Sequence, residues 1–417
     1  MTAPVALFLF NRPDTVTRVF ERIAAARPSR LLLVADGPRQ GHEGDPERCR
    51  AAREAVARVD WPCEVSRLYS DVNLGCGPRM ASGLSWVFEQ VEEAIVFEDD
   101  CVPEPSFFPF CDELLARYRH DARVGVISGY NPVEAGQDCP DSYFFSRYSQ
   151  TWGWASWRRV WAHFDHHLTA LPEAIGRGTL ADIFEEPHVY VEWLRFFTTY
   201  GRNRGSLWDY QFSFAQMTQS LLSIIPAVSQ VSNVGCGRPD ATNAGAETDL
   251  GTVASQPMPF PLRHPPFVVR GRRNDRLLEE RVYKIVPLRP GAPAVAEDAA
   301  AMAQAWEMYR QGDAARGEAL LAPRLSRCPD DPDALHLLGL LRHRAGRVNE
   351  GVHLIWRAVM GRPDGWLWLW HLAQIYAAAG YAEVARDLCV AALRFNPGEP
   401  TVAAERERLE KQLSQAP

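Results

Sequence analysis

The chain has 417 residues, of which 46% are hydrophobic and 23% charged, and its formal net charge is −7. That length exceeds one ordinary compact domain and that composition is globular, so two folded domains are expected and intrinsic disorder is not. An acidic balance lacks the concentrated basic face that nucleic acid or anionic lipid demands, which excludes both as principal partners.

The opening run Val5 to Phe10 is of strand length and has neither a basic lead nor a small-residue cleavage site, so it reads as a buried strand and not as a signal peptide. Further strands are expected over Arg30 to Ala35, Cys63 to Tyr69, Ala94 to Phe97 and Val124 to Ser128. Between them, helical patterns run from Asp14 to Ala26, with Asp14 as a cap, and from Asp45 to Val59, Pro78 to Val91 and Pro105 to Tyr118. This alternation predicts a largely parallel sheet flanked by helices, a doubly wound α/β start. Ligands of such sheets collect at the carboxyl ends of the strands, where Asn11-Arg12, Asp36-Gly37, Asn73-Leu74-Gly75 and Glu98-Asp99-Asp100 fall.

From Ser142 to Val269 the pattern is irregular and rich in aromatic residues, consistent with an acceptor-side subdomain. Nine cysteines are scattered along the chain without a Cys-x-x-Cys pair, which reads as reduced thiols in a cytoplasmic protein. No stretch approaches the roughly 18 apolar residues of a bilayer span, so membrane contact is expected only peripherally, at an inner membrane.

The segment 288–297, with Pro290-Gly291-Ala292-Pro293, is expected to be a linker. Beyond it Gly312, Gly346 and Gly380 recur at the interval at which Pro329, Pro363 and Pro397 also recur. Small residues follow in step at Gly317, Gly351 and Ala385, and apolar ones at Leu325, Val359 and Leu393. A 34-residue period with a Gly between two helices and a Pro after the second resembles the tetratricopeptide family. The resemblance implies an all-α array over 298–417, with units 298–331, 332–365 and 366–399 and a capping helix from Glu399 to Gln415. Such arrays commonly hold a protein partner in their concave face, and a stabilising or dimerising appendage is the other reading.

An apolar strand that delivers Glu98, Asp99 and Asp100 to a sheet edge crowds three acids together. A divalent cation and a sugar nucleotide would neutralise them, since hard carboxylate oxygens suit Mn²⁺ or Mg²⁺, although a solvated acidic turn has the same sequence. The run Val96-Phe97-Glu98-Asp99-Asp100 is followed by Pro103, Phe107-Phe108, Gly125-Val126-Ile127-Ser128, Thr151-Trp152-Gly153-Trp154 and Trp208-Asp209. Together these resemble the DxD-type pattern of GT-A glycosyltransferases, in particular the N-acetylglucosaminyltransferase I family and bacterial family 2 enzymes. The resemblance implies a Rossmann-like GT-A domain over 1–287 that uses a nucleotide-diphosphate sugar as donor. It places a metal on Asp100, the ribose near Asp99 and the transferred sugar near Glu98.

The same resemblance gives Asn11, Arg12 and Asp36 to the nucleotide. It likens Asn73-Leu74-Gly75 to a turn that closes over nucleotide sugars, with Arg79 reaching towards the diphosphate. Asp209 is implied as the base that takes the acceptor proton, which makes the transfer inverting; the alternative is a plain helix cap. Trp154, with Gly153, would stack against a sugar ring, while Trp157 and Trp161 belong to the core. His264 is a candidate further metal ligand or an ordinary loop histidine, and Asp240 to Asn243 lack the His that relatives would show. The expected function is transfer of a sugar to a hydroxyl of a glycan or protein acceptor. A catalytically inactive sugar-binding scaffold acting through its repeats is the alternative.

Overall fold

The computed structural model describes residues 2–133, 139–202, 205–238, 253–287 and 296–415. They form two compact units, one from Met1–His167 with Asn203–Lys284 and one from Leu168–Arg202 with Ile285–Pro417. The first is mixed α/β and the second is helical. The expected linker 288–297 lies almost wholly outside the described residues, as does the segment from Asp240 to Asn243.

In the first unit β1 (Val5–Leu9), β2 (Arg30–Ala35), β3 (Glu64–Tyr69) and β4 (Glu93–Glu98) alternate with α1 (Pro13–Ala26), α2 (Asp45–Ala55) and α3 (Cys76–Gln90). Next come β5 (Cys101–Pro103), α4 (Phe107–Tyr118), β6 (Val124–Ser128), β7 (Tyr143–Ser146), β8 (Trp154–Trp157) and α5 (Arg158–Trp161). The main sheet has the order β3-β2-β1-β4-β8-β6, continued by β9 (Leu222–Pro226) and then β7. β1 pairs in parallel with both β2 and β4, so the strand order reverses there and opens a crevice at their carboxyl ends.

The other half of the sheet departs from the parallel expectation. β8 runs antiparallel between β4 and β6, and β7 runs antiparallel to β9. All four residues of β8 are buried, so Trp154, expected near a sugar ring, and Trp157, expected in the core, both lie on a central strand covered on both faces. α1 begins at Pro13, not at an Asp14 cap: proline suits the first helical position, and no side chain caps that end. Asp14 sits in the first turn and pairs with Arg238 Nη1 at 2.7 Å, which holds its carboxyl below the ordinary value.

The second unit contains α11 (Ala296–Gln311), α12 (Ala314–Arg327), α13 (Pro332–Arg344), α14 (Val348–Gly361), α15 (Trp366–Ala378), α16 (Ala382–Phe395) and α17 (Pro400–Ser414). Gly312, Gly346 and Gly380 turn the chain between the paired helices at φ of 82°, 82° and 86°. This is the left-handed region where glycine has no steric penalty, and three equal turns at one period make a tetratricopeptide-type array. α13 and α14 approach so closely that a β-carbon at Gly351 would lie 2.6 Å from the Gly339 carbonyl oxygen.

α6 (Leu171–Arg177), α7 (Thr179–Ile183) and α8 (Pro187–Thr199) belong to this unit, although the sequence reading kept them in the first domain. α6 packs on α16, and α8 on both α14 and α16. Within α8, Trp193, Phe196 and Phe197 interlock, and Phe184 stacks on Trp193 with centroids 5.7 Å apart. Arg202 donates from Nη2 to the fully buried Asp387 at 2.7 Å, and Arg386 donates to its other oxygen at the same distance.

Candidate functional site

The acidic turn follows β4 directly. Parallel pairing with β1 sets Glu98 opposite Phe8, so the next residues reach the loop after β1. The Phe10 amide donates to Asp99 Oδ2 at 3.0 Å, and Arg12 Nη1 donates to Asp100 Oδ2 at 2.9 Å. Glu98 and Asp99 are pushed up into the neutral range, chiefly by burial and then by the charge of Asp100, with Arg12 opposing. A carboxyl that keeps its proton at neutral pH donates a hydrogen bond, so the turn offers both donors and acceptors.

Asp209 opens α9 (Asp209–Thr218), which enters from a segment over a hundred residues downstream. Its loop is held by the Gly77 amide, which donates to the Gly205 carbonyl at 3.3 Å. Gly75, at φ 84°, faces that same carbonyl. Burial raises the Asp209 carboxyl above its ordinary value against the amides of Asp209, Tyr210 and Trp208. Glu98 feels the charge of both Asp100 and Asp209, and Cys76 at the start of α3 feels Glu98, Asp209, Asp100 and Asp36. The charges of carboxylates from three separate chain segments therefore act on one thiol, whose burial is the larger cause of its raised value.

The residues after β2 form a second layer. Asp36 accepts from the amides of Gly37 and Leu74 at 3.0 and 2.9 Å, from Gly75 at 3.2 Å and from Asn73 Nδ2 at 3.0 Å. This carboxylate fastens the Asn73-Leu74-Gly75 turn, and its oxygens are occupied by the protein's own donors. Asn73 serves the same junction, donating also to the Gly37 carbonyl at 3.0 Å. Arg79, one turn into α3, is 7% exposed, and its Nε and Nη2 meet no acceptor. A buried guanidinium with two unmatched N–H groups beside Asp36 is a ready seat for an anionic ligand oxygen.

Asn11 turns towards α2, where its Nδ2 donates to Asp45 Oδ1 at 2.9 Å. Asp45 is fully buried, and it also receives Arg39 Nε and Arg48 Nη2, each at 2.7 Å. It locks the loops after β1 and β2 together, a role that the sequence reading missed. Tyr283 is a second omission: its buried hydroxyl feels Tyr210 and Asp209. No local pattern marks either residue.

Trp154 does not present a ring to a ligand. It is 1% exposed and lies against Trp208 and Phe212, with centroids 5.9 and 5.2 Å away, so it is core. His264 is engaged at both ring nitrogens, Nδ1 with the Tyr143 hydroxyl and Nε2 with Glu113, each at 3.0 Å. Among the described residues no three His, Cys, Asp or Glu side chains are arranged to hold a metal ion. Asp100 already has Arg12 on Oδ2 and the Cys101 thiol 3.5 Å from Oδ1, so the donor set does not fit the divalent ion expected there.

No family model matches the chain. It is 34% identical over 113 residues to cellulose synthase operon protein C of Pseudomonas fluorescens (strain SBW25), a match covering 24% of this chain and 9% of that protein. Among solved structures, the O-GlcNAc transferase of Thermobaculum terrenum matches 27% of this chain and 22% of its own, with 28% identity and a TM-score of 0.26. The type III secretion chaperone SycD of Yersinia enterocolitica, in complex with a translocator peptide, matches 28% of this chain and 96% of its own, with 13% identity and a TM-score of 0.27. No helix among the described residues is long and apolar enough to cross a membrane.

Proposed function

We propose that the first unit transfers a sugar from a nucleotide-diphosphate donor to an acceptor hydroxyl, with inversion at the anomeric carbon. The observation that supports this reading best is that the charges of Glu98, Asp209, Asp100 and Asp36 act together on Cys76, at the point where the strand order reverses. Asp209 is the base: its carboxylate takes the acceptor proton as the acceptor oxygen bonds to the anomeric carbon, and the bond from that carbon to the diphosphate breaks with its electron pair on the diphosphate. A carboxyl raised by burial is a stronger base than an exposed one, which suits that step. Glu98 and Asp99, partly protonated near neutral pH, hold sugar hydroxyls, and Arg79 supplies unmatched donors to the nucleotide side.

The array recruits the acceptor, a glycan or a protein of surface-polymer assembly. The stretch shared with cellulose synthase operon protein C supports a setting of that kind.

A thermal-shift screen of the whole chain against nucleotide-diphosphate sugars tests the reading. One donor should raise the melting temperature by mass action. Asp209→Asn should keep that shift while donor turnover falls by about 10²–10⁴-fold. If no donor shifts the wild-type protein, the scaffold alternative replaces the transferase.

A further inference from the structure

Arg12 stands immediately before α1, and its carbonyl accepts the Val16 amide at 3.1 Å and the Thr15 hydroxyl at 3.2 Å, which pins its backbone to the first helical turn. From there the guanidinium crosses to the end of β4. Nη1 lies 2.9 Å from Asp100 Oδ2 and 3.7 Å from Asp99 Oδ1, and the three side chains are between 10% and 16% exposed. A later segment of the chain also packs against Asp100. β10 (Val231–Asn233) pairs with β5, the Val234 amide donates to the Asp100 carbonyl at 2.9 Å, and a β-carbon at Gly235 would collide with Asp100 Oδ2.

We propose that Arg12 is the permanent counter-ion of the acidic turn, standing at Asp100 where a divalent ion would sit, and that this chain binds nucleoside diphosphates without a metal. The ligand half of this inference rests on the transferase reading; the geometry of Arg12 does not. A doubly charged ion on Asp100 Oδ2 would have to share a shielded carboxylate with a guanidinium already in contact, or expel it, and like charges repel strongly where solvent is scarce. Arginine suits the alternative because it stays charged at any working pH and matches carboxylate and phosphate oxygens with a planar fork of donors.

The test compares Mn²⁺ binding to the full-length wild type and Arg12→Ala, read from the electron paramagnetic resonance signal of free Mn²⁺. Arg12→Ala should bind the ion about tenfold or more tightly than the wild type, because two carboxylates lose their cation. Arg12→Gln gives the same comparison should the alanine variant fail to melt cooperatively. Equal Mn²⁺ binding by wild type and variant overturns the proposal. Uridine and guanosine diphosphates are then titrated in EDTA and in Mn²⁺. The wild type should bind its nucleotide within about twofold in both media, and a gain of about tenfold with Mn²⁺ overturns metal independence. Failure of every nucleotide in both media would remove the transferase reading, while the Mn²⁺ comparison would still decide the role of Arg12.

Discussion

Glu98 and Asp99 hold their protons well above the usual carboxyl range, at about 8 and about 7, because burial and the neighbouring Asp100 penalise their charge. In the unfolded chain they titrate at the ordinary 4.5 and 3.8. Between those values and neutrality the folded chain keeps protons that the unfolded chain has released. Their contribution to stability is therefore complete at low pH and is lost as pH rises through the folded values. Differential scanning calorimetry should show the melting temperature declining from about pH 4 to pH 8, with a shallower slope for Glu98→Gln; a flat wild-type profile would contradict the crowding. Asp45→Ala should cost about 1–2 kcal/mol in urea denaturation, because Asn11 and Arg39 lose a buried acceptor. It should also weaken nucleotide binding. The acids at the end of β4 could be singled out because an apolar strand leading into three carboxylates is a local pattern, whereas Asp209 at the start of α9 came only from the family resemblance. The partnership of Asp45 with Asn11 was not legible, since it joins residues on different elements and leaves no periodic trace.

At the scale of elements, period was the informative signal. The alternation of apolar runs and amphipathic stretches located β1 to β4 and α1 to α3 within a few residues, and glycine at a fixed interval marked the three helical turns. β8 escaped because a strand buried on both faces shows no polar alternation, and in sequence Trp154 reads as a sugar-stacking ring while Trp157 reads as core. Close helix approach gives the clearest test here. Gly351→Val places branched carbons against the Gly339 carbonyl, and it should destabilise the array by about 1–3 kcal/mol in chemical denaturation followed by helical circular dichroism. Gly365→Ala would not serve as a control, because a β-carbon there would lie 2.5 Å from the Trp368 ring. Gly398, with nothing near its β-position, would.

Across the whole molecule, the assignment of residues 168–202 to the helical unit was the feature least accessible to sequence. Their aromatic content signals burial but not against what, and the covering helices lie far along the chain. Asp387, fully buried, depends on Arg202 from that segment and on Arg386 from its own helix. Arg202→Ala should cost about 3 kcal/mol, because a buried carboxylate loses one of its two cations. Stability measured by denaturation should recover in part when Asp387→Asn is added, and no recovery would show that packing, not charge, ties the segment down.

The order of synthesis follows from the same feature. α8 leaves the ribosome with its buried face complete, while α14 and α16, which pack on it, are still about 150 to 200 residues away. At roughly 5–20 residues per second that face waits on the order of 10–40 s for its cover. The nascent chain therefore carries that face uncovered by α14 and α16 over this interval, and every message that stops short of α14 releases a product that keeps it.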